Sequence, residues 1–159
     1  LCDWSSDVCS SDLSTPPHPL AMAPLVHHVQ VLLDSFAGRL GRELIGREGS
    51  AEEQAERLYR APFVVVSHGT HADPLLTYGN AAALTLWDMT FEELVRTPSR
   101  LTAEPLHRDE RARLLERTRR DGYVDDYSGI RISKTGSRFR IERAIVWNLA
   151  DAKIGRAHV

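Results

Sequence analysis

Two long β-type segments separated by a short turn constrain the fold of this chain more than any other feature. Residues 123–133 and 138–149 are rich in β-branched and aromatic side chains, and the sequence Lys-Thr-Gly-Ser at 134–137 separates them. A short connection that contains glycine is typical of a β-hairpin, with Gly136 in the turn. We therefore predict an antiparallel sheet built on this hairpin.

The second of these segments does not alternate cleanly between apolar and polar residues. Its apolar positions slip by one residue between Ile141 and Ala144. A single extra residue in one strand produces such a slip, so we predict a β-bulge near Arg143.

The upstream sequence shows helical periods and short apolar runs. Helices are predicted at 24–40, 51–59, 81–87, 90–96 and 108–120, and strands at 63–66 and 75–78. Ser50 with Glu53 is a capping-box pattern, and Asn80 is a suitable helix N-cap. This order predicts an α+β fold, in which an antiparallel sheet carries helices on one face and two further helices precede it.

Both ends of the chain resemble a translated sequencing adapter. Residues 1–13 read LCDWSSDVCSSDL and residues 154–159 read IGRAHV, and consecutive adapter codons encode both strings. We interpret these ends as cloning or assembly artefacts. Residues 14–23 then form a Pro-rich leader, and 24–153 form one folded domain whose true C-terminus is missing.

The charge and cysteine counts depend on this interpretation. The whole chain has a net charge of −2 and two cysteines, both within residues 1–13. Without Asp3, Asp7, Asp12 and Arg156, the net charge becomes zero and no cysteine remains, which fits a cytoplasmic protein. A neutral chain without an apolar run of about 20 residues predicts neither nucleic-acid binding nor membrane insertion.

One polar loop has the composition of a metal site. His68, His71 and Asp73 lie within six residues, and two imidazoles with one carboxylate can hold an ion such as zinc. The two histidines lack the helical spacing of known zinc motifs, so a polar loop with a turn at Asp73 is the favoured alternative.

Aromatic side chains on several predicted elements indicate either a cavity or an ordinary core. Trp87, Tyr127 and Trp147 come from elements that should face one another, and buried indole and phenol donors need partners. We take these three residues and Arg140 as candidate lining residues of a ligand pocket between the sheet and the helices within 81–120. The sequence contains no nucleophile elbow, phosphate-binding loop or dinucleotide motif, so an enzymatic function is not predicted.

Two stretches of the sequence are similar to the strand–helix and hairpin signatures of PAS domains. They are Tyr-Gly-Asn-Ala-Ala at 78–82, with Tyr78 and Asn80 as structural positions, and the turn around Gly136. More specifically, the segments VVVSHGTHADPLLTYGNAAALTLWDMT, PSRLTAEP and DDYSGIRISKTGSRFRIERAIVWNL resemble the MEKHLA domain, a PAS-related family. The resemblance covers residues 25–151.

The resemblance implies a PAS-like fold and a sensory or protein-interaction role, of the stand-alone bacterial type. In plants the family occurs at the C-terminus of homeodomain–leucine zipper proteins. Neither of those domains occurs here, so DNA binding is not carried over. The resemblance identifies no ligand or cofactor for this chain.

A PAS sheet has five antiparallel strands, and the resemblance continues past residue 151 into a last strand. If residues 154–159 are foreign, that strand is missing and the strand ending at 149 lacks a neighbour. Unpaired strand edges promote association, so marginal stability is expected.

The function expected is a non-enzymatic sensory or interaction domain that binds a small molecule or dimerises. Helix 24–40 either packs on a second copy in a homodimer or covers its own sheet. The alternatives are a small metal-dependent enzyme that uses the His68, His71 and Asp73 loop, and a purely structural dimerisation module.

Overall fold

The computed structural model describes residues 23–69, 72–102, 108–149 and 156–158. The helices of these ranges are α1 Ala23–Leu40, α2 Ala51–Tyr59, α3 Ala81–Trp87, α4 Phe91–Leu94 and α5 Arg108–Asp121, with a 3₁₀ turn at Ser99–Thr102. The strands are β1 Val66–His68, β2 Leu76–Gly79, β3 Tyr123–Ile132, β4 Arg138–Asn148 and β5 Arg156–His158. The predicted segment 1–13 lies outside the described residues, as does the predicted leader 14–23 except for Ala23, which begins α1.

The helix starts follow from local capping. The Ser50 hydroxyl accepts from the Glu53 amide at 3.2 Å, and the Glu53 carboxylate accepts from the Ser50 amide at 2.7 Å, which confirms the predicted capping box. Thr90 and Glu93 form a second such box at the start of α4. These contacts set the start of α2 at the predicted residue Ala51 and the start of α4 at Phe91, one residue after the predicted one.

The strands form one antiparallel sheet in the order β2-β1-β5-β4-β3. β3 and β4 are the two arms of the predicted hairpin, and Gly136 adopts a φ of 87° in its turn. A positive φ of this size is easily accessible only to glycine. The α+β architecture predicted from the sequence is confirmed.

The prediction that the last sheet strand is missing is wrong. Residues Arg156–His158 form β5, which pairs with β1 on one side and with β4 on the other. Main-chain groups make the bonds of a sheet, so an extended segment fills this place whatever the origin of its side chains. β4 therefore has a neighbour on each side, and the expected instability loses its basis. The adapter origin of residues 154–159 stays a prediction.

Helices cover both faces of the sheet. Consecutive strand residues point to opposite faces, and Trp147 packs in a cluster with α1 while Val146 packs against Leu114 of α5. Trp87 at the end of α3 contacts Phe139, which lies on the same face as Ile141 and the α5 cluster. The predicted helical face is thus the α3–α5 face, and α1 adds a layer on the opposite one.

Helix α1 covers its own sheet. Four residues of its apolar stripe, Val29, Leu32, Leu33 and Phe36, are fully buried, and the Phe36 ring meets the Trp147 indole edge-to-face with centroids 5.1 Å apart. Of the two placements left open for this helix, the structure shows packing within the chain.

One polar contact crosses the interface between α1 and the sheet. His28 Nε2 lies 2.8 Å from the Ser67 hydroxyl, which lies 2.8 Å from the Thr77 hydroxyl. Burial, with a smaller contribution from the charge of His27, lowers the pKa of His28 from 6.5 to about 4. The folded protein therefore keeps this imidazole neutral at pH values where the unfolded chain protonates it.

This difference predicts that stability falls as the solution is acidified. Between pH 7 and pH 5 the unfolded chain becomes protonated at His28, whereas the folded chain stays neutral there. The free energy of unfolding should therefore drop by about 2 kcal/mol. Urea titrations at the two pH values should show this drop in the wild type and lose it in His28→Gln.

His27→Gln, at an exposed position on the same helix, is the matched control and should retain the wild-type drop. An identical pH dependence in the wild type and in His28→Gln would contradict the assignment.

Candidate functional site

The Asn80 side chain holds together the segments that frame the site. It is fully buried, and its Oδ1 accepts from the amides of Val65 at 3.0 Å and Ala83 at 3.2 Å. Its Nδ2 donates to the carbonyls of Phe63 at 2.7 Å and Leu58 at 3.3 Å. One amide group therefore joins the end of α2, the approach to β1 and the start of α3.

These bonds also explain why β1 starts later than predicted. The sequence predicts a strand at 63–66, whereas β1 begins at Val66. The Phe63 carbonyl and the Val65 amide bond to Asn80 rather than to a neighbouring strand. A β-type composition does not reveal that competing partner.

A cavity of about 360 Å³ lies between the sheet and the α3 side of the helical layer. Its lining is mainly apolar and comes from the segment before β1, from β1, β2, β3 and β4, from the end of α3 and from the 3₁₀ turn. The lining residues are Phe63, Val64, Val66, His68, Leu76, Trp87, Ser99, Thr102, Arg131, Ile141, Glu142, Arg143, Ala144 and Ile145. A mainly apolar concavity with a few polar groups is the usual form of a small-molecule site.

The β4 wall of the cavity contains the predicted bulge. Gly129 pairs with Ile141 and Tyr127 pairs with Ala144, so β4 has one residue more than β3 over this stretch. Arg143 lies in the extra segment with a φ of 51°. The bulge returns Ala144 to the face that Ile141 occupies, and both side chains thereby line the cavity.

The hairpin turn fastens the α3 wall. The Lys134 amide donates to the Trp87 carbonyl at 3.1 Å, and Lys134 Nζ lies 2.6 Å from a Glu93 carboxylate oxygen at the start of α4. The Trp87 ring rests edge-to-face on Phe139, with centroids 5.1 Å apart. Trp87 is thereby held in place at the cavity.

The structure does not bring the four predicted lining residues together. Trp87 lines the cavity, and Tyr127 is buried next to it beneath the Arg131 guanidinium, at 5.2 Å from guanidinium carbon to ring centroid. Arg140 is exposed and pairs with Glu142 at 3.3 Å. Trp147 lies in the α1 cluster on the opposite face.

Strand alternation is the reason for both displacements. Arg140 lies between two residues that face the helices, Phe139 and Ile141, so its own side chain points the other way. The bulge changes the phase of β4, so that Val146 faces α5 and Trp147 faces α1. Sequence reasoning located the bulge but did not apply its phase change to Trp147.

Sequence reasoning missed Arg131 and the 3₁₀ turn that carries Ser99 and Thr102. A signal for Arg131 was present, since it follows Tyr127 and Gly129 at alternating positions and therefore lies on the buried face of the predicted strand. The 3₁₀ turn has no comparable signal, because short irregular segments lack a period.

The metal-like loop is described only in part. Among its predicted ligands, His71 lies outside the described residues, Asp73 pairs with Arg100 at 3.0 Å, and His68 is buried with Nδ1 2.8 Å from the Gly69 carbonyl. In the part of the chain that the structure describes, no three His, Cys, Asp or Glu side chains gather closely enough to hold a metal ion.

Solved structures with the same architecture are PAS and LOV domains. The PAS domain of a protein from Colwellia psychrerythraea aligns with a TM-score of 0.59 at 13% identity, over 67% of this chain and 91% of that one. A domain of a sensory box sensor histidine kinase/response regulator from Geobacter sulfurreducens gives 0.53 at 16% identity, over 71% and 97%. The LOV protein of Rhodobacter sphaeroides gives 0.52 at 11% identity, over 64% and 61%. The fold is therefore a PAS-like fold.

The sequence itself identifies the family. The model of the MEKHLA domain matches residues 26–158, and the chain belongs to the MEKHLA domain family. The resemblance inferred from the strand–helix and hairpin segments is confirmed.

No curated protein matched the sequence. Across the described ranges, every helix is too short or too polar to cross a membrane.

The bonds of Asn80 predict a large effect of its removal. Asn80→Ala leaves the amides of Val65 and Ala83 and the Phe63 carbonyl without their Asn80 partner and removes the cap of α3, whereas the Leu58 carbonyl keeps the Ala61 amide. We expect the free energy of unfolding to fall by about 3 kcal/mol or more in a urea titration.

Thr90→Ala, which removes the exposed cap of α4, is the control and should cost about 1 kcal/mol. Equal losses in the two variants would show that Asn80 acts only as a helix cap.

Proposed function

We propose that this chain is a non-catalytic, PAS-like sensory domain that binds a small molecule in the cavity between the sheet and α3. The observation that supports this proposal is the cavity itself, about 360 Å³ in volume and lined mainly by apolar side chains. Volumes of roughly 300–1,000 Å³ are usual for small-molecule sites. The family and the fold agree with a sensory role.

The path by which an occupant changes the domain runs through β4. Ile145 lines the cavity and also packs against the cluster that α1 forms with Trp147. Displacement of β4 by an occupant therefore acts directly on the docking surface of α1. We propose that α1 is the output element.

The expected homodimer through helix 24–40 takes a restricted form in this proposal. The apolar stripe of α1 is buried against its own sheet, so a second copy has access only to the outer side of the helix, where Asp34 is exposed. A cytoplasmic location and the absence of nucleic-acid binding, both predicted from the sequence, remain part of the proposal.

Native mass spectrometry of the protein purified from cells tests the proposal. The wild type should carry the added mass of a retained small molecule. Val66→Phe inserts a larger side chain at the β1 wall and should lose this mass, whereas Val31→Phe on α1 is volume-matched, lies away from the cavity and should retain it.

Circular dichroism on all three proteins verifies that the fold is kept. A wild type without added mass, which no compound of a chemically diverse collection stabilises against heat, would contradict the proposal.

A further inference from the structure

The cavity contains a buried positive charge. Arg131 is 5% exposed and lines the cavity from β3. Its Nη1 donates to the Ile130 carbonyl at 3.1 Å, and its guanidinium carbon lies 5.2 Å from the centroid of the Tyr127 ring. Among the described residues, the Ile130 carbonyl is the one acceptor found for its five guanidinium N–H groups.

No carboxylate within the described ranges lies close enough to pair with this guanidinium. Every ion pair found there involves other cations, and the nearby Glu142 at the cavity lining pairs with Arg140. A buried charge is costly unless it is paired and hydrogen-bonded, so an arginine in this position favours an anion beside it.

A second donor belongs to a side chain that lines the same cavity. Trp87 is 5% exposed, and its indole Nε1 is buried without a hydrogen-bond partner among the described residues. The side chains that carry this indole N–H and the guanidinium thus both line the cavity, whose other walls are mainly apolar. This arrangement suits a molecule with an anionic acceptor group and an apolar body.

We infer that the cavity binds a small monocarboxylic acid, with its carboxylate on Arg131 and Trp87 and its apolar body against Val66 and Ile141. The inference rests on the proposed function and specifies the ligand class. A single guanidinium balances one negative charge, and its planar fork matches a carboxylate. A group of atoms the size of a water molecule occupies about 30 Å³. The cavity of about 360 Å³ therefore has room for a single aromatic ring with a short acid chain.

Isothermal titration calorimetry with phenylacetate and with its neutral isostere phenylacetamide tests this inference on the full chain. The wild type should bind the acid at least about ten times more tightly than the amide, since hydrogen bonds to a charged group contribute most to the difference. This comparison requires no variant and is therefore independent of any folding defect.

Three variants then locate the effect. Arg131→Met keeps the length and apolar stem of the side chain, and should weaken phenylacetate binding about ten- to one-hundred-fold and remove the preference over the amide. Trp87→Phe keeps an aromatic ring against Phe139 but removes the N–H group. It should weaken phenylacetate binding by a smaller factor than Arg131→Met does. Arg140→Met removes an exposed cation from the neighbouring strand and should bind as the wild type does.

The results separate this inference from the proposed function. Equal affinity for acid and amide, or an equal loss in Arg131→Met and Arg140→Met, would overturn the carboxylate assignment while leaving a ligand cavity in place. A neutral molecule retained by the wild type, with no binding of phenylacetate, would overturn it as well. No binding of either probe, together with no retained mass and no stabilising compound, would overturn both.

Discussion

The buried amide of Asn80 is the contact on which the arrangement of this domain depends. Its four side-chain hydrogen bonds join the end of α2, the approach to β1 and the first turn of α3. Because α3 ends at Trp87, these bonds determine where the cavity has its helical wall. An amide is suited to this position, since it donates and accepts at once and adds no buried charge.

The bulge in β4 connects the two faces of the sheet. One extra residue near Arg143 lets Ile141 and Ala144 face the cavity and lets Trp147 face α1. The same strand therefore forms one wall of the cavity and the platform for the N-terminal helix. A domain that reports on an occupant needs such a shared element, and β4 has this role in the proposed function.

Local patterns predicted most of the fold, because caps, turns and periods are properties of neighbouring residues. The ends of α2 and α3, the hairpin at Gly136 and the bulge near Arg143 all follow from short stretches of sequence. Long-range partners were harder to predict: Asn80 delays the start of β1, and β5 fills a gap that residues 154–159 were not expected to fill. Among the residues that line the cavity, Trp87 was predicted. To predict Arg131, the alternation of side chains along β3 has to be followed from Tyr127 to position 131.

The most direct test compares two indole groups of the folded domain, Trp87 at the cavity and Trp147 on the opposite face of the sheet. In a ¹H–¹⁵N NMR titration with phenylacetate, the Nε1–H resonance of Trp87 should shift strongly, because the Trp87 side chain lines the cavity. The Trp147 resonance should move far less, because its ring is buried on the α1 face. The chain has three tryptophans, so Trp87→Phe and Trp4→Phe together assign the resonances of Trp87 and Trp147. A titration in which the Trp87 resonance stays in place, or in which Trp147 shifts as much, would contradict the account.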